Sequence, residues 1–202
     1  MIRHERATVI AIVEGHGEVQ AVPVLVRAIA AALGMPVPAV PPPVRVPRGR
    51  ISKPPGDDLA RGLQLAARRW TPPGGLLLLC DADDDCAASL GPELRRQARA
   101  IVPEVRVEVV LAVREYEAWF LGALDSLRGP RDVRADAVAP PDAEAIRGAR
   151  ERFADCLEPA RSYAETVDQP RFTARMDMGA ARARCRSFDR CFRAVARLLD
   201  FA

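Results

Sequence analysis

The sequence predicts an α/β protein in which a mostly parallel sheet is flanked by helices and followed by a C-terminal helical extension. Short apolar runs of strand length alternate with segments that have the periodicity of amphipathic helices. The apolar runs lack the polar alternation of a strand with one face in water. Continuous apolar runs are typical of parallel strands that are buried on both faces.

The first strand and the first helix are predicted near the N-terminus. Thr8 to Val13 has the sequence TVIAIV, a run rich in β-branched residues, which predicts a buried strand. A turn with two glycines, Glu14 to Glu18, interrupts the run. The helical pattern then extends from Glu18 to Leu33, and Gly34 is a typical stop signal.

A proline-rich segment separates this helix from the next. Met35 to Pro55 contains eight prolines, so it can form at most a short edge strand near Val44 to Val46. Asp57 or Asp58 is then expected to cap a helix that ends at about Trp70.

Two further strands are predicted in the middle of the chain, after a turn at Pro72 to Gly75. Leu76 to Cys80, with the sequence LLLLC, is a fully apolar run and directly precedes the acidic run Asp81 to Asp85. A helix is expected from about Ser89 to Ile101. Val105 to Val113 predicts the third clear strand.

The composition predicts one domain with an appendage. The segment 129–141 is rich in proline, aspartate and arginine, which is typical of a linker. Asp142 and Asp177 are candidate helix caps, and Ser187 to Phe201 predicts a terminal amphipathic helix. We therefore expect three parts: a core at 1–128, a linker at 129–141 and a helical extension at 142–202.

Charge and cysteine usage limit the cellular setting. The net charge of +3 permits contact with nucleic acid without requiring it. Five cysteines without a CxxC pair argue against a disulfide framework and fit a reducing compartment. No apolar run approaches the length of about 20 residues that a membrane span needs. We expect a cytoplasmic protein that does not bind a membrane.

Acidic residues follow all three clear strands. Glu14, Asp81 and Glu115 come directly or almost directly after the first, second and third run. The carboxyl ends of parallel strands share one edge of a sheet, where ligands bind. Crowded carboxylates repel each other unless a cation lies between them, and oxygen ligands suit Mg²⁺ or Mn²⁺. A helix cap would explain one carboxylate but not the whole run.

Four motifs resemble known families. Val-Glu-Gly-His-Gly-Glu after the first strand and Asp-Ala-Asp after a later one resemble the Toprim domain of topoisomerases, primases and overcoming-lysogenization-defect type nucleases. More closely, IVEGHGE, DADDD, REYEAWF and the tail from YAETVDQ to CRSFDR resemble a small prokaryotic Toprim-like group, the domain-of-unknown-function family 4276. The resemblance covers nearly the whole chain and implies a Toprim-like, Rossmann-like fold.

The resemblance implies roles for individual residues. The expected metal ligands, for Mg²⁺ or Mn²⁺, are Glu14, Asp81 and Asp83, with Asp85 added from the same acidic run. The expected catalytic residues are Glu14, Glu18, Glu115 and Arg114, and Glu117 is an alternative to Glu115. Nuclease-type Toprim proteins carry a late lysine, whereas the only lysine here is Lys53 in the proline-rich segment. Arg114 could replace its charge but cannot donate a proton at neutral pH.

Two functions stay open on these grounds. The first is metal-dependent phosphodiester hydrolysis or phosphoryl transfer on nucleic acid, as in a defence effector with an ATPase partner protein. The second is a noncatalytic module that binds a partner protein or a nucleotide, which the missing lysine favours. Homodimer formation is left open.

The aromatic residues after the third strand are expected in the core rather than on a base-stacking surface; they are Tyr116, Trp119 and Phe120. His16 is either a ligand or a loop residue without a role.

Overall fold

Four parallel strands form the sheet, in the order β2-β1-β3-β4. The structure is a computed structural model that describes residues 6–47, 51 and 57–200. The strands are β1 at Thr8–Val13, β2 at Val44–Arg45, β3 at Gly74–Asp81 and β4 at Val107–Ala112. The apolar runs β1 and β3 are the two central strands, and the predicted α/β fold with a parallel sheet is confirmed.

Helices cover both faces of this sheet. The described residues form the following helices: α1 at His16–Ala32, α2 at Asp57–Arg69, α3 at Ala87–Ile101, α4 at Ala118–Gly122, α5 at Leu124–Leu127, α6 at Ala149–Ala154, α7 at Glu165–Thr173, α8 at Met178–Arg184 and α9 at Arg186–Leu199. A 3-10 turn at Ala143–Ala145 precedes α6. None of the described helices is long and apolar enough to cross a membrane.

Two hydrophobic cores lie on opposite faces of the sheet. Alternate residues of β1 point to different cores, with Val9, Ala11 and Val13 on the side of α1 and α9. Ile10 and Ile12 lie on the side of α2 and α3, together with Cys80. Because both faces are covered, every residue of β1 can be apolar or small, which explains the missing polar alternation.

The clearest differences between the predicted and observed strand bounds are at the start of β3 and at both ends of β4, which begins at Val107 rather than at Val105. Gly74 and Gly75, expected in a turn, belong to β3, because glycine allows the backbones to approach closely there. A Cβ at Gly74 would lie 2.2 Å from Thr8 O. β4 ends at Ala112 rather than at Val113, since the Val113 amide donates to Ser187 Oγ at 3.2 Å.

Aromatic residues after β4 connect the sheet to the C-terminal helices. Tyr116, Trp119 and Phe120 have no exposed surface, so their predicted place in the core is confirmed. Trp119 Nε1 donates to Ser187 Oγ at 2.8 Å, and the Tyr116 hydroxyl lies 2.9 Å from Thr173 Oγ1.

The division of the chain into a core, a linker and a helical extension stays a prediction.

Two of the predicted helix caps, Asp142 and Asp177, are confirmed. Asp142 Oδ1 accepts hydrogen bonds from the amides of Glu144 and Ala145 at 3.0 and 3.2 Å, and thereby caps the 3-10 turn. Asp177 Oδ1 accepts from the Ala180 amide at 2.9 Å at the start of α8. These caps satisfy amides that have no partner inside the helix.

Candidate functional site

A pocket rich in carboxylates lies at the carboxyl ends of β1, β3 and β4. It has a volume of about 330 Å³, and eight carboxylates and one arginine line it. We call it the acidic pocket. Its lining residues are Glu14, Gly15, Glu18, Asp81, Asp83, Glu115, Glu117, Arg150, Glu151, Glu165 and Gln169.

The turn between β1 and α1 places Glu18 in the acidic pocket. Gly15 has an extended backbone and precedes the first residue of α1. A Cβ at Gly15 would lie 2.3 Å from Glu18 Oε2, and a Cβ at Gly17 would lie 2.4 Å from Gln169 Oε1. The two glycines therefore leave the space that Glu18 and Gln169 occupy.

Glu18 is buried and forms no ion pair with another described residue. Its exposed fraction is 4%, and its Oε2 accepts no hydrogen bond from any described residue. Burial raises the pKa of Glu18 to about 7, and the charges of Glu117, Glu165 and Glu14 contribute to the increase. The carboxylate is therefore poised to accept a proton or a cation.

Two other acids of the pocket have raised pKa values. Burial raises the pKa of Asp81 well above its usual value, and the nearby charges of Glu18 and Glu117 raise it further. Burial also raises the pKa of Glu117, although hydrogen bonds from Gln169 Nε2 and the Tyr163 hydroxyl, at 2.9 and 2.7 Å, oppose the increase. Without a cation, these acids cannot all be ionised cheaply at neutral pH.

Helix α7 supplies pocket residues that the sequence interpretation did not include. Glu165 Oε1 accepts from the Gly17 amide at 3.0 Å, and Glu165 Oε2 lies 3.2 Å from Arg150 Nη1. Gln169 lies one helical turn further on and contacts Glu117. Both residues belong to the YAETVDQ motif, and this motif was the available signal, since neither residue follows a strand.

The comparisons with known proteins give one result. A family model described as "Domain of unknown function (DUF4276)" matches residues 13–196. The chain belongs to this family. No curated protein and no solved structure matches it. In this DUF4276 protein the matched range includes every residue that lines the acidic pocket.

The DUF4276 protein brings together five of the seven predicted site residues, and also Glu117, the alternative to Glu115. These five lining residues are Glu14, Glu18, Asp81, Asp83 and Glu115. Glu115 Oε2 accepts from the Arg150 amide at 2.7 Å. Two predicted residues, Asp85 and Arg114, do not line the pocket, and His16 is exposed outside it. The metal-binding and catalytic roles of all these residues stay predictions.

Arg114 lies next to the acidic pocket in a strained loop. Its φ is 66° and that of Asp83 is 48°, both in the left-handed region. The Asp83 amide donates to Arg114 O at 2.9 Å, and Arg114 Nη1 lies 2.7 Å from Asp84 Oδ1. Strain of this kind is often found where side chains must be held for function.

The donor set of the DUF4276 protein fits a divalent cation. Carboxylate oxygens are the ligands that Mg²⁺ and Mn²⁺ prefer, and Glu18 Oε2 is a buried oxygen without a hydrogen-bond donor. The described residues contain no ready-made group of three or more His, Cys, Asp or Glu side chains that could hold a metal. Mg²⁺ often keeps several waters and binds through one or two carboxylates, so it needs no such group.

Proposed function

We propose that this DUF4276 protein is a Toprim-type, divalent-metal-dependent enzyme that hydrolyses phosphodiester bonds or transfers phosphoryl groups on nucleic acid. One observation carries the proposal: carboxylates that follow three adjacent parallel strands line a single pocket, and a buried Glu18 oxygen in it has no described donor. Strand-end pockets are the usual ligand sites of parallel sheets.

The pocket residues divide into cation ligands and groups that handle protons. Glu14, Asp81 and Asp83 would hold Mg²⁺ or Mn²⁺, one or two of them directly and the rest through bound water, and Asp85 lies outside the lining residues. A bound cation would polarise a phosphoryl oxygen and make bound water more acidic. Glu18, whose pKa is about 7, would accept the proton of the attacking water.

Arginines near the pocket could contact the phosphates of a nucleic acid. Arg114 and Arg147 both form ion pairs with Asp84, at 2.7 and 2.8 Å, and 71% of the Asp84 side chain is exposed. Ion pairs in water contribute only about 0–1 kcal/mol, so a phosphate can displace Asp84 at little cost. Arg150 is the one arginine among the lining residues.

The same proposal includes three further points: the substrate is a nucleic acid, the protein acts in the cytoplasm, and an ATPase is its partner.

A noncatalytic module is the second candidate, because no lysine lines the acidic pocket in the described part of the chain. The sequence has one lysine, Lys53, which lies outside the described residues. Arg114 and Arg150 cannot donate a proton at neutral pH. A module of this kind would bind a cation and a nucleotide or partner protein in the acidic pocket without turnover.

Nicking of DNA and RNA in the presence of Mn²⁺ tests the proposal. We expect activity in the wild type and in Glu104→Gln, an exposed glutamate outside the acidic pocket, and no activity in Glu14→Gln. The glutamine keeps the shape of the side chain and removes its charge. Undiminished activity of Glu14→Gln would contradict the proposal.

Calorimetric titration with Mn²⁺ separates the two candidate functions. Binding that is lost in the double variant Asp81→Ala, Asp83→Ala supports a metal site in the acidic pocket. Metal binding without cleavage, both for the protein alone and with an ATPase encoded beside it, would favour the noncatalytic module.

A further inference from the structure

The outer edge of β4 has free backbone groups. Within the described chain β4 is the last strand of the sheet. The carbonyls of Arg106 and Ala112 accept from the amides of Leu76 in β3 and of Ala82 directly after it, so the backbone of the even-numbered residues faces β3. The backbone of Val107, Val109 and Leu111 faces the opposite side, where no described residue bonds to it.

An arginine-lined groove runs along this edge. It has a volume of about 530 Å³ and lies between α3, β4 and α9. We call it the β4 groove. The strand contributes Val109, Val110 and Leu111, and α3 contributes small residues such as Ala88 and Gly91. Four arginines and no carboxylate line it: Arg95, Arg96, Arg99 and Arg190.

Two of the four arginines of the β4 groove lack an ion pair with a described residue, whereas Arg96 is paired with Glu93 at 2.7 Å. Arg99 and Arg190 are exposed, and neither has an ion pair with another described residue. Arg95 Nη2 lies 3.4 Å from Glu108 Oε2, and Arg95 Nε has no described acceptor. Arg99 and Arg95 are on α3 and Arg190 is on α9, so positive charge flanks the strand edge from both faces of the sheet.

Gly91 keeps the groove open although the packing of the chain does not require a glycine. A Cβ at Gly91 would come no closer than 3.8 Å to another residue, the Leu111 Cδ1 atom. Glycine inside a helix is unfavourable relative to alanine. The missing side chain therefore leaves room for another molecule beside β4.

We propose that the β4 groove binds an extended, acidic segment of a partner protein, which adds to the sheet as a fifth strand. Its backbone would bond to Val109 and Leu111, and its carboxylates would meet the arginines on both sides. A second copy of this chain would place the same arginines against each other in a two-fold contact. A nucleic acid would meet the arginines but lacks the backbone that pairs with a strand edge.

A synthetic peptide of three Thr-Glu-Glu-Val repeats is the probe. In an added strand the two glutamates of each repeat point to opposite faces, toward α3 and toward α9. Fluorescence anisotropy should show saturable binding of this peptide. A peptide with lysine in place of glutamate, and the glutamate peptide N-methylated at every backbone amide so that neither edge can pair, should bind at least tenfold more weakly. Equal binding of the N-methylated peptide would overturn strand addition.

Two pairs of variants locate the binding site. Arg99→Glu with Arg190→Glu should weaken binding at least tenfold, while Arg68→Glu with Arg152→Glu, at exposed arginines outside the groove, makes the same charge change and should have little effect. Gly91→Leu should block the groove and Gly91→Ala should not, with both variants folded by circular dichroism. Equal losses in the two double variants would overturn the proposal, as would tighter binding of a single-stranded oligonucleotide that depends on Arg99 and Arg190.

Discussion

Two buried carboxylates, Glu18 and Asp132, have the same exposed fraction of 4% but opposite surroundings. Asp132 forms ion pairs with three arginines, Arg161, Arg171 and Arg175. Glu18 lies in a pocket with seven other carboxylates, and its Oε2 has no hydrogen-bond partner in the part of the chain that the structure describes.

The surroundings shift the two pKa values in opposite directions. Burial alone would raise the pKa of Asp132, but hydrogen bonds from Arg175 and Arg171 lower it below its usual value. Burial raises the pKa of Glu18 to about 7, and its acidic neighbours raise it further instead of opposing it. A buried acid among cations serves the fold, whereas crowded acids cost folding free energy and are typical of functional sites.

The largest expected effect is the loss of the Asp132 charge. Asp132→Asn should lower the free energy of unfolding by about 3 kcal/mol, because three arginines lose their shared partner. Urea unfolding measures the loss. Asp136→Asn, at an exposed ion pair with Arg134, is the matched control and should change stability by less than about 1 kcal/mol. A similar loss in both variants would remove the distinction between the two kinds of acid.

The pH dependence of stability should also separate the two sites. The folded-state pKa of Glu18 is raised from 4.5 to about 7, so its stabilising contribution is complete below 4.5 and is lost as the pH rises toward 7. The pKa of Asp132 is lowered, so its contribution is present above its usual pKa and is lost as the pH falls. In metal-free protein, the Glu18 contribution to the free energy of unfolding should fall by about 3 kcal/mol as the pH rises from 4.5 through about 7.

Urea unfolding at a series of pH values in the presence of EDTA tests this expectation. The decline toward pH 7 should be smaller in Glu18→Gln than in the wild type. A decline of the same size in both proteins would show that Glu18 does not titrate as described.

Neutralising Glu18 should have a smaller effect at a fixed pH. Metal-free Glu18→Gln at pH 8 should be more stable than the wild type by about 2 kcal/mol, since a buried charge among acids is removed. The same variant should gain less stability from Mg²⁺, measured as a shift of the melting temperature. A loss of stability in metal-free Glu18→Gln would mean that the carboxylate has a favourable partner in the folded protein.

The smallest expected effect concerns the hydrogen bond to Glu117. Tyr163→Phe removes a donor 2.7 Å from Glu117 Oε1 and should cost about 1 kcal/mol of stability. Tyr116→Phe removes the hydroxyl that contacts Thr173 and should cost a similar amount. Only Tyr163→Phe should change the affinity for Mn²⁺ in calorimetry, because only Tyr163 contacts an acid of the pocket. Equal Mn²⁺ affinities would show that Glu117 takes no part in binding the cation.

The fold was largely predictable because the decisive signals are local. The runs at Thr8 to Val13 and Leu76 to Cys80 are apolar throughout, and both form central strands. Gly74 and Gly75 were misassigned to a turn, because their strand role depends on the backbones of neighbouring strands rather than on the local sequence.

Only those residues of the acidic pocket that follow strands could be predicted from the sequence. Glu14 and Asp81 follow strands whose parallel arrangement brings them to one edge. Glu165 and Gln169 reach the same place because α7 packs on α1. The hydrogen bond from the Gly17 amide to Glu165 joins residues that are 148 positions apart in the sequence. The arginines around Asp132 were missed for the same reason, since Asp132 lies in a polar segment that has the composition of a solvated linker.

The hydrogen bond from the Gly17 amide to Glu165 also determines when the pocket can form during protein synthesis. A ribosome releases the strands that carry Glu14 and Asp81 well before it releases α7. In the growing chain the pocket therefore lacks the wall that Glu165 and Gln169 form. The walls of the pocket close only after Gln169 has left the exit tunnel, so no nascent chain shorter than this can present the complete site to a metal or a nucleic acid.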